Sequence, residues 1–157
     1  MLPKEITKTG EGESMIKVKS IFSKVSDDDG FRVLVEPVWP RKANREQTVL
    51  DVWFRELAPS DGLYSRYVHN QIPWEAFVVR YHSELDRYHG YFRDLQAYNH
   101  EGGLTIIHGS RDQERNIAMA VKMFMEKNDH SPEHLVNPIL YLTEPLDLNV
   151  KAEKVRV

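Results

Sequence analysis

Two short segments concentrate the side chains whose types and spacing suit chemistry. His108-Gly109-Ser110-Arg111-Asp112, with Asn116 four residues further on, brings an imidazole, a hydroxyl, a guanidinium and a carboxylate into one run. An imidazole near neutral pH is a natural acid or base, and free backbone N–H groups ahead of a following helix form an anion cradle. The same run also reads more plainly. Ser110 with Gln113 resembles a capping box, and Asp112 and Glu114 already place negative charge in a first helical turn, where they would repel a phosphate. The second segment, Trp39-Pro40-Arg41, is a rigid turn that would hold an indole face and a guanidinium toward one anionic or aromatic ligand. Its plainer reading packs Trp39 on the core and pairs Arg41 with a carboxylate. Arg32 interrupts an apolar run and needs a partner, either a ligand or one of Asp28, Asp29, Glu36 and Asp112.

The candidates therefore divide into two sets. Asp112, His108 and Asn116 are the candidate catalytic residues, with Asp112 or a histidine moving a proton and Asn116 orienting the loop. Arg32, Trp39, Arg41, Ser110 and Arg111 are the candidate ligand-binding residues. His82, Asp86 and His89 share a helix flank, but seven residues at 1.5 Å each put the two imidazoles about 10 Å apart, too far for one ion. No metal is expected there. The patterns Gly-x-x-x-x-Gly-Lys-Ser/Thr, Gly-x-Gly-x-x-Gly, Gly-x-Ser-x-Gly and His-Glu-x-x-His are absent from the sequence, so no cofactor is expected and no motif assigns a reaction.

The elements that must position these residues follow from periodicity. Ile16, Val18, Ser20 and Phe22 alternate with Lys17 and Lys19, the pattern of a half-buried strand, and Asp27-Asp28-Asp29-Gly30 then reverses the chain. Phe31 to Val35 reads as a strand covered on both faces and stops at Glu36-Pro37. Thr48 to Leu57 favours a short helix ended by Ala58-Pro59, and Ser60-Asp61 caps the next. From Pro73 to about Tyr91, Trp74, Phe77, Val78, Tyr81, Leu85 and Tyr88 form one helical stripe, with Leu95 and Tyr98 extending or following it up to Gly102-Gly103. Leu104 to His108 is a second buried strand, expected to run straight through Gly109-Ser110 into a helix bearing Ile117, Ala120, Val121, Phe124 and Met125. Residues 137–142 and 146–150 are two further short strands, placed either at a sheet edge or against a neighbouring subunit.

The chain has 157 residues, a net charge of −3 and no cysteine. Without thiols there is no disulfide framework and no thiolate metal site or nucleophile, and a reducing, cytoplasmic setting is expected. No apolar run approaches the ~20 residues of a membrane span. Balanced charge gives no global field for nucleic acid, which is therefore not an expected partner. The fold class expected is α/β: a small, mostly parallel sheet flanked by helices in a single domain. Residues 1–14 form a flexible extension, 15–127 the domain, and 128–157 a C-terminal extension carrying the extra strands.

The run Asp28 to Val35, then Trp39-Pro40-Arg41, then Trp53 to Ser60, in that order and spacing, resembles the YeaO-like family, domain of unknown function 488 (DUF488). Trp74-x-x-Phe77 with Tyr81 and Glu84-Leu85 is similar to the family's long helix, and Arg111-Asp112 with Asn116-x-x-x-Ala120 to its last strand-loop-helix. The resemblance implies a small cytoplasmic α/β domain and no established activity. The chain departs from the family pattern at Glu36-Pro37-Val38, at Lys42, and at Arg115-Asn116 where relatives carry His-Asn; if a histidine acts there in relatives, this chain must do without it or use His108. The function expected is binding of a small anionic metabolite, with or without a reaction, in a strand-end crevice lined by Arg32, Trp39, Arg41, Arg111, Asp112 and Asn116. The rival is a non-catalytic interaction module that forms a homo-oligomer through its C-terminal strands.

Overall fold

A computed structural model describes residues 16–128, so the N-terminal extension and both C-terminal strands of the sequence reading lie outside the described residues. Four strands, β1 (Lys17–Ser20), β2 (Phe31–Leu34), β3 (Val52–Trp53) and β4 (Leu104–His108), form one sheet in the order β1-β4-β2-β3. All pairs are parallel, with Val18 opposite Ile106, Val33 opposite both Ile106 and Val52, and Leu34 opposite Trp53. The helices are α1 (Asp61–Val68), α2 (Trp74–Leu85), α3 (His89–Gly102) and α4 (Ile117–Lys127). None of the described helices is long and apolar enough to cross a membrane.

Strand alternation splits the interior in two. Val33, Val35, Val52, Leu104 and Ile106 face a large core with Leu63 of α1, Phe77, Tyr81 and Leu85 of α2, Phe92 and Leu95 of α3, and Val121 and Phe124 of α4. Leu34, Ile107, Ile21, Leu50 and Trp53 form a second, smaller cluster that receives Trp39 and Ala43 and no helical residue. The helices thus pack one face, while the connection from β2 to β3 covers part of the other. Near the β2 start, Gly30 and Gly103 both adopt positive φ, and a Cβ on Gly30 would lie 2.2 Å from the Gly103 carbonyl oxygen. Only glycine permits that backbone approach.

Several elements differ from the sequence reading. Thr48 to Leu57 is not a helix but β3 followed by a single 3-10 turn at Arg55–Leu57. Leu50 and Trp53 enter one cluster and Val52 and Phe54 the other, so a strand apolar on both sides imitates helical periodicity. β1 ends at Ser20, leaving Phe22 59% exposed while Ile21 is buried. The long stripe breaks at a 3-10 turn over Asp86–Tyr88 before α3 begins. His82, on the flank it shares with Asp86 and His89, is buried: its Nε2 is 2.8 Å from the Ala120 carbonyl oxygen, and its ring meets Phe124 edge-on. Finally, α4 begins at Ile117 rather than at Ser110.

Candidate functional site

The two central strands send their chains to opposite faces. β2 continues into the loop that covers the Trp53 cluster, whereas β4 continues into α4 on the helical face. Divergence of this kind opens a crevice beyond the carboxyl ends of parallel strands. There a cavity of about 260 Å³ is lined by Glu36 from the β2 end, Tyr64, Tyr67 and Val68 of α1, Asn70, Phe77 of α2, and Ser110, Asp112, Arg115, Asn116 and Ile117 from the β4–α4 connection.

Glu36 forms the buried end of this wall, being only 8% exposed. One carboxylate oxygen accepts the Gly109 backbone N–H at 3.0 Å, and no other hydrogen bond reaches the carboxyl from the described residues. Burial pushes it up to about 7, only partly offset by that bond. Burial, followed by the nearby Glu36 charge, likewise raises the Tyr64 hydroxyl to about 12. Glycine is required beside Glu36, because a Cβ at Gly109 would stand 2.6 Å from Pro40 Cβ. The Trp39-Pro40-Arg41 turn therefore fixes the N–H that Glu36 accepts.

The β4–α4 connection satisfies its own donors. The Asp112 Oδ1 accepts the N–H groups of Glu114 and Arg115, both at 2.9 Å, and these bonds lower its pKa. Ser110 Oγ accepts the Asp112 N–H at 3.0 Å, and Asn116 caps α4 by accepting the Met119 N–H at 2.8 Å while its amide donates to the Asp112 carbonyl at 2.9 Å. The N–H groups expected to cradle an anion are instead held by the loop's own carboxylate and hydroxyl. His108 is 1% exposed, and its Nδ1 accepts the Ser110 N–H at 3.0 Å, so the neutral ring carries its proton on Nε2. Burial lowers its pKa against the pull of Asp112.

The structure brings Ser110, Asp112 and Asn116 together on the cavity wall and leaves the other candidates off it. Arg32 points elsewhere: its guanidinium pairs with Asp29 at 2.5 Å and its Nε donates to the Val49 carbonyl at 2.7 Å. Trp39 packs edge-on to Trp53 with centroids 5.4 Å apart and donates to the Ala43 carbonyl at 2.7 Å. Arg41 and Arg111 are exposed, and neither forms a hydrogen bond or ion pair among the described residues. His108 lies behind the Ser110 turn. Among the described residues no three His, Asp or Glu side chains are grouped to hold a metal ion.

Sequence reading treats Glu36 as a strand stop, a partner for Arg32 and a departure from the family pattern, and it names none of Tyr64, Tyr67, Phe77, Asn70 and Arg115 as a site residue. The available signals were a carboxyl directly after a fully apolar strand and two tyrosines three apart, on one face of α1.

The sequence profile described as "Inactive DUF488-N3 subclade" matches residues 15–141. The chain is similar to the uncharacterised protein Rv3073c of Mycobacterium tuberculosis, 32% identical over 73 residues, covering 46% of this chain and 62% of that one. The chain thus spans about three fifths of the length of its mycobacterial relatives. It is also similar to the uncharacterised protein YeaO of Escherichia coli, 24% identical over 106 residues that cover 68% of this chain and 92% of the relative. No solved structure matches the chain. With most of its length matched in this way, the chain belongs to the YeaO-like DUF488 family, within the subclade described as inactive.

Proposed function

We propose that this protein is a non-catalytic binding domain that holds a small organic molecule in the cavity beyond β2 and β4. The observation that carries this reading is Glu36: a carboxyl kept out of water, with a single protein donor, opening onto a partly aromatic wall. A buried polar group without a full set of partners is costly unless something it binds supplies the remainder. The absence of reaction is supported by the local bonding. Ser110 Oγ accepts the Asp112 N–H, His108 Nδ1 accepts the Ser110 N–H, and among the described residues no hydrogen bond joins that hydroxyl to the imidazole as a nucleophile and base. The description of the subclade as inactive points the same way.

The anionic ligand expected from sequence drew its charge from Arg32, Arg41 and Arg111, and none of the three lines the cavity, where Arg115 is the one guanidinium on the wall. The test is a thermal-shift screen of small amines, nucleobases, carboxylates and sugar phosphates, repeated on Val68→Trp. Val68 is 47% exposed at the cavity rim, so an indole there blocks the mouth without touching the core. A compound present at ~100 times its dissociation constant stabilises by about 2.7 kcal/mol. The expected outcome is a shift in the wild type that Val68→Trp abolishes. A shift of equal size in both proteins places binding elsewhere and ends this reading, as does silence across the screen.

A further inference from the structure

Internal hydrogen bonding decides what the cavity wall has left to offer. Gly109 takes one Glu36 oxygen, and the other is unpartnered among the described residues. Asp112 uses Oδ1 for two loop N–H groups, and Oδ2 accepts no hydrogen bond among the described residues. The Asn116 carbonyl oxygen is committed to α4. Against these two carboxyls stands one guanidinium, Arg115. Tyr64, Tyr67 and Phe77 add ring surface, with Tyr67 and Phe77 stacked at 4.6 Å. Acceptors of negative charge beside aromatic rings attract a desolvated cation through hydrogen bonds and the ring quadrupoles.

We propose that the cavity takes a small, flat organic cation of the amidine or amine class, whose N–H groups donate to Glu36 while its body lies against Tyr64, Tyr67 and Phe77. This assignment rests on the reading of the cavity as a binding site and narrows it to one charge class. Binding displaces the proton that Glu36 otherwise carries, so affinity rises with pH around neutrality. Of the other titratable and charged groups around the cavity, His108 alone changes charge in the same sense near this range, and burial moves its titration below the ordinary value, so Glu36→Gln separates the two. The hydroxyls of Tyr64 and Tyr67 on α1 and Tyr81 on α2 are raised by burial, Asp112 is lowered by its loop N–H bonds, and His108 is lowered by burial. The Arg115 guanidinium sits at the same wall.

Three probes of one shape separate the charge classes: benzamidine, a cation; benzamide, neutral; and benzoate, an anion. Calorimetric titration of the full chain at pH 6 and pH 8 should show benzamidine binding about tenfold more tightly at pH 8, the ratio of ionised Glu36 for a group titrating at about 7. Benzoate should not bind at either pH. At pH 7, titrations in two buffers of different ionisation enthalpy should report release of about half a proton per benzamidine, a readout that needs no variant. Glu36→Gln, which keeps an acceptor for Gly109, should weaken benzamidine and remove its pH dependence. Benzoate binding that exceeds benzamidine binding and disappears in Val68→Trp leaves the cavity reading intact and overturns the cation. Benzamidine binding that survives Val68→Trp overturns both. No binding of benzamidine at either pH, or binding without proton release, overturns the cation while the broader screen decides the cavity.

Discussion

Asp29 and Glu36 are both buried carboxyls, and their surroundings drive them in opposite directions. Burial would raise Asp29, but the Ser26 N–H and the ammonium groups of Lys19 and Lys17 outweigh it and hold the carboxyl at about 2. Lys19 stands 3.0 Å away, Lys17 3.4 Å, and Arg32 completes the cluster. Removing one partner of a buried ion pair strands the other charge without water. Asp29→Ala should therefore destabilise the fold by about 3–5 kcal/mol in urea denaturation at pH 7. Because its folded-state pKa is depressed, the contribution of Asp29 is complete above about 3.8 and disappears as pH falls toward about 2. A cost below 1 kcal/mol at pH 7 would mean that Arg32 and the lysines find water or other acceptors. This residue was half legible from sequence. An arginine inside an apolar strand demanded a partner, and Asp29 was one of four named, but only the 3-10 turn over Asp27–Asp29 turns that side chain under the sheet.

At the scale of elements, the start of α4 shows how a helix and a cavity wall are built by one residue. Asn116 accepts the Met119 N–H and donates to the Asp112 carbonyl, tying the cap to the loop that carries Ser110 and Asp112. Asn116→Ala should cost about 1–2 kcal/mol, and Asn116→Asp, which retains the capping oxygen, should cost less. Equal losses for the two substitutions, measured by chemical denaturation, would assign the stability to the amide bond with Asp112 instead of to the cap. The strands β1, β2 and β4 were legible because alternation and β-branched runs are local signals. The true start of α4 was not. Ser110, Asp112 and Gln113 imitate a helix N-terminus, yet Asp112 turns back on the N–H groups of Glu114 and Arg115 and closes a separate turn six residues early. β3 was hidden for a related reason, since it is two residues long and buried on both sides. Glu36 was visible as a residue but not as a site, because its burial depends on α1 and α2, which join the sequence more than twenty residues later.

Over the whole molecule, stability and pH are linked through several buried groups whose effects oppose one another. Glu36 is raised from 4.5 to about 7, so its neutral form favours folding below about 4.5 and this contribution is lost as pH rises through about 7. The shift corresponds to about 3 kcal/mol. His82 and His108, both lowered by burial, act in the other direction: their contributions are present above about 6.5 and decline on acidification. The overall profile mixes these opposing terms, and Glu36→Gln isolates one of them. The variant should match the wild type near pH 4.5 and become more stable than it by up to about 3 kcal/mol at pH 8. A constant difference across this range would show that Glu36 ionises at its ordinary value.

The indole of Trp53 donates to the carbonyl oxygen of Glu36 at 2.8 Å, while Trp39 rests against the same ring and reaches the cavity turn through Pro40 and Gly109. The residue that forms the buried end of the cavity is thus hydrogen-bonded through its own peptide group to a chromophore on the far face of the sheet. Indole emission responds to nearby charge, so Trp53 fluorescence is expected to follow the state of Glu36 with no label and nothing placed in the cavity.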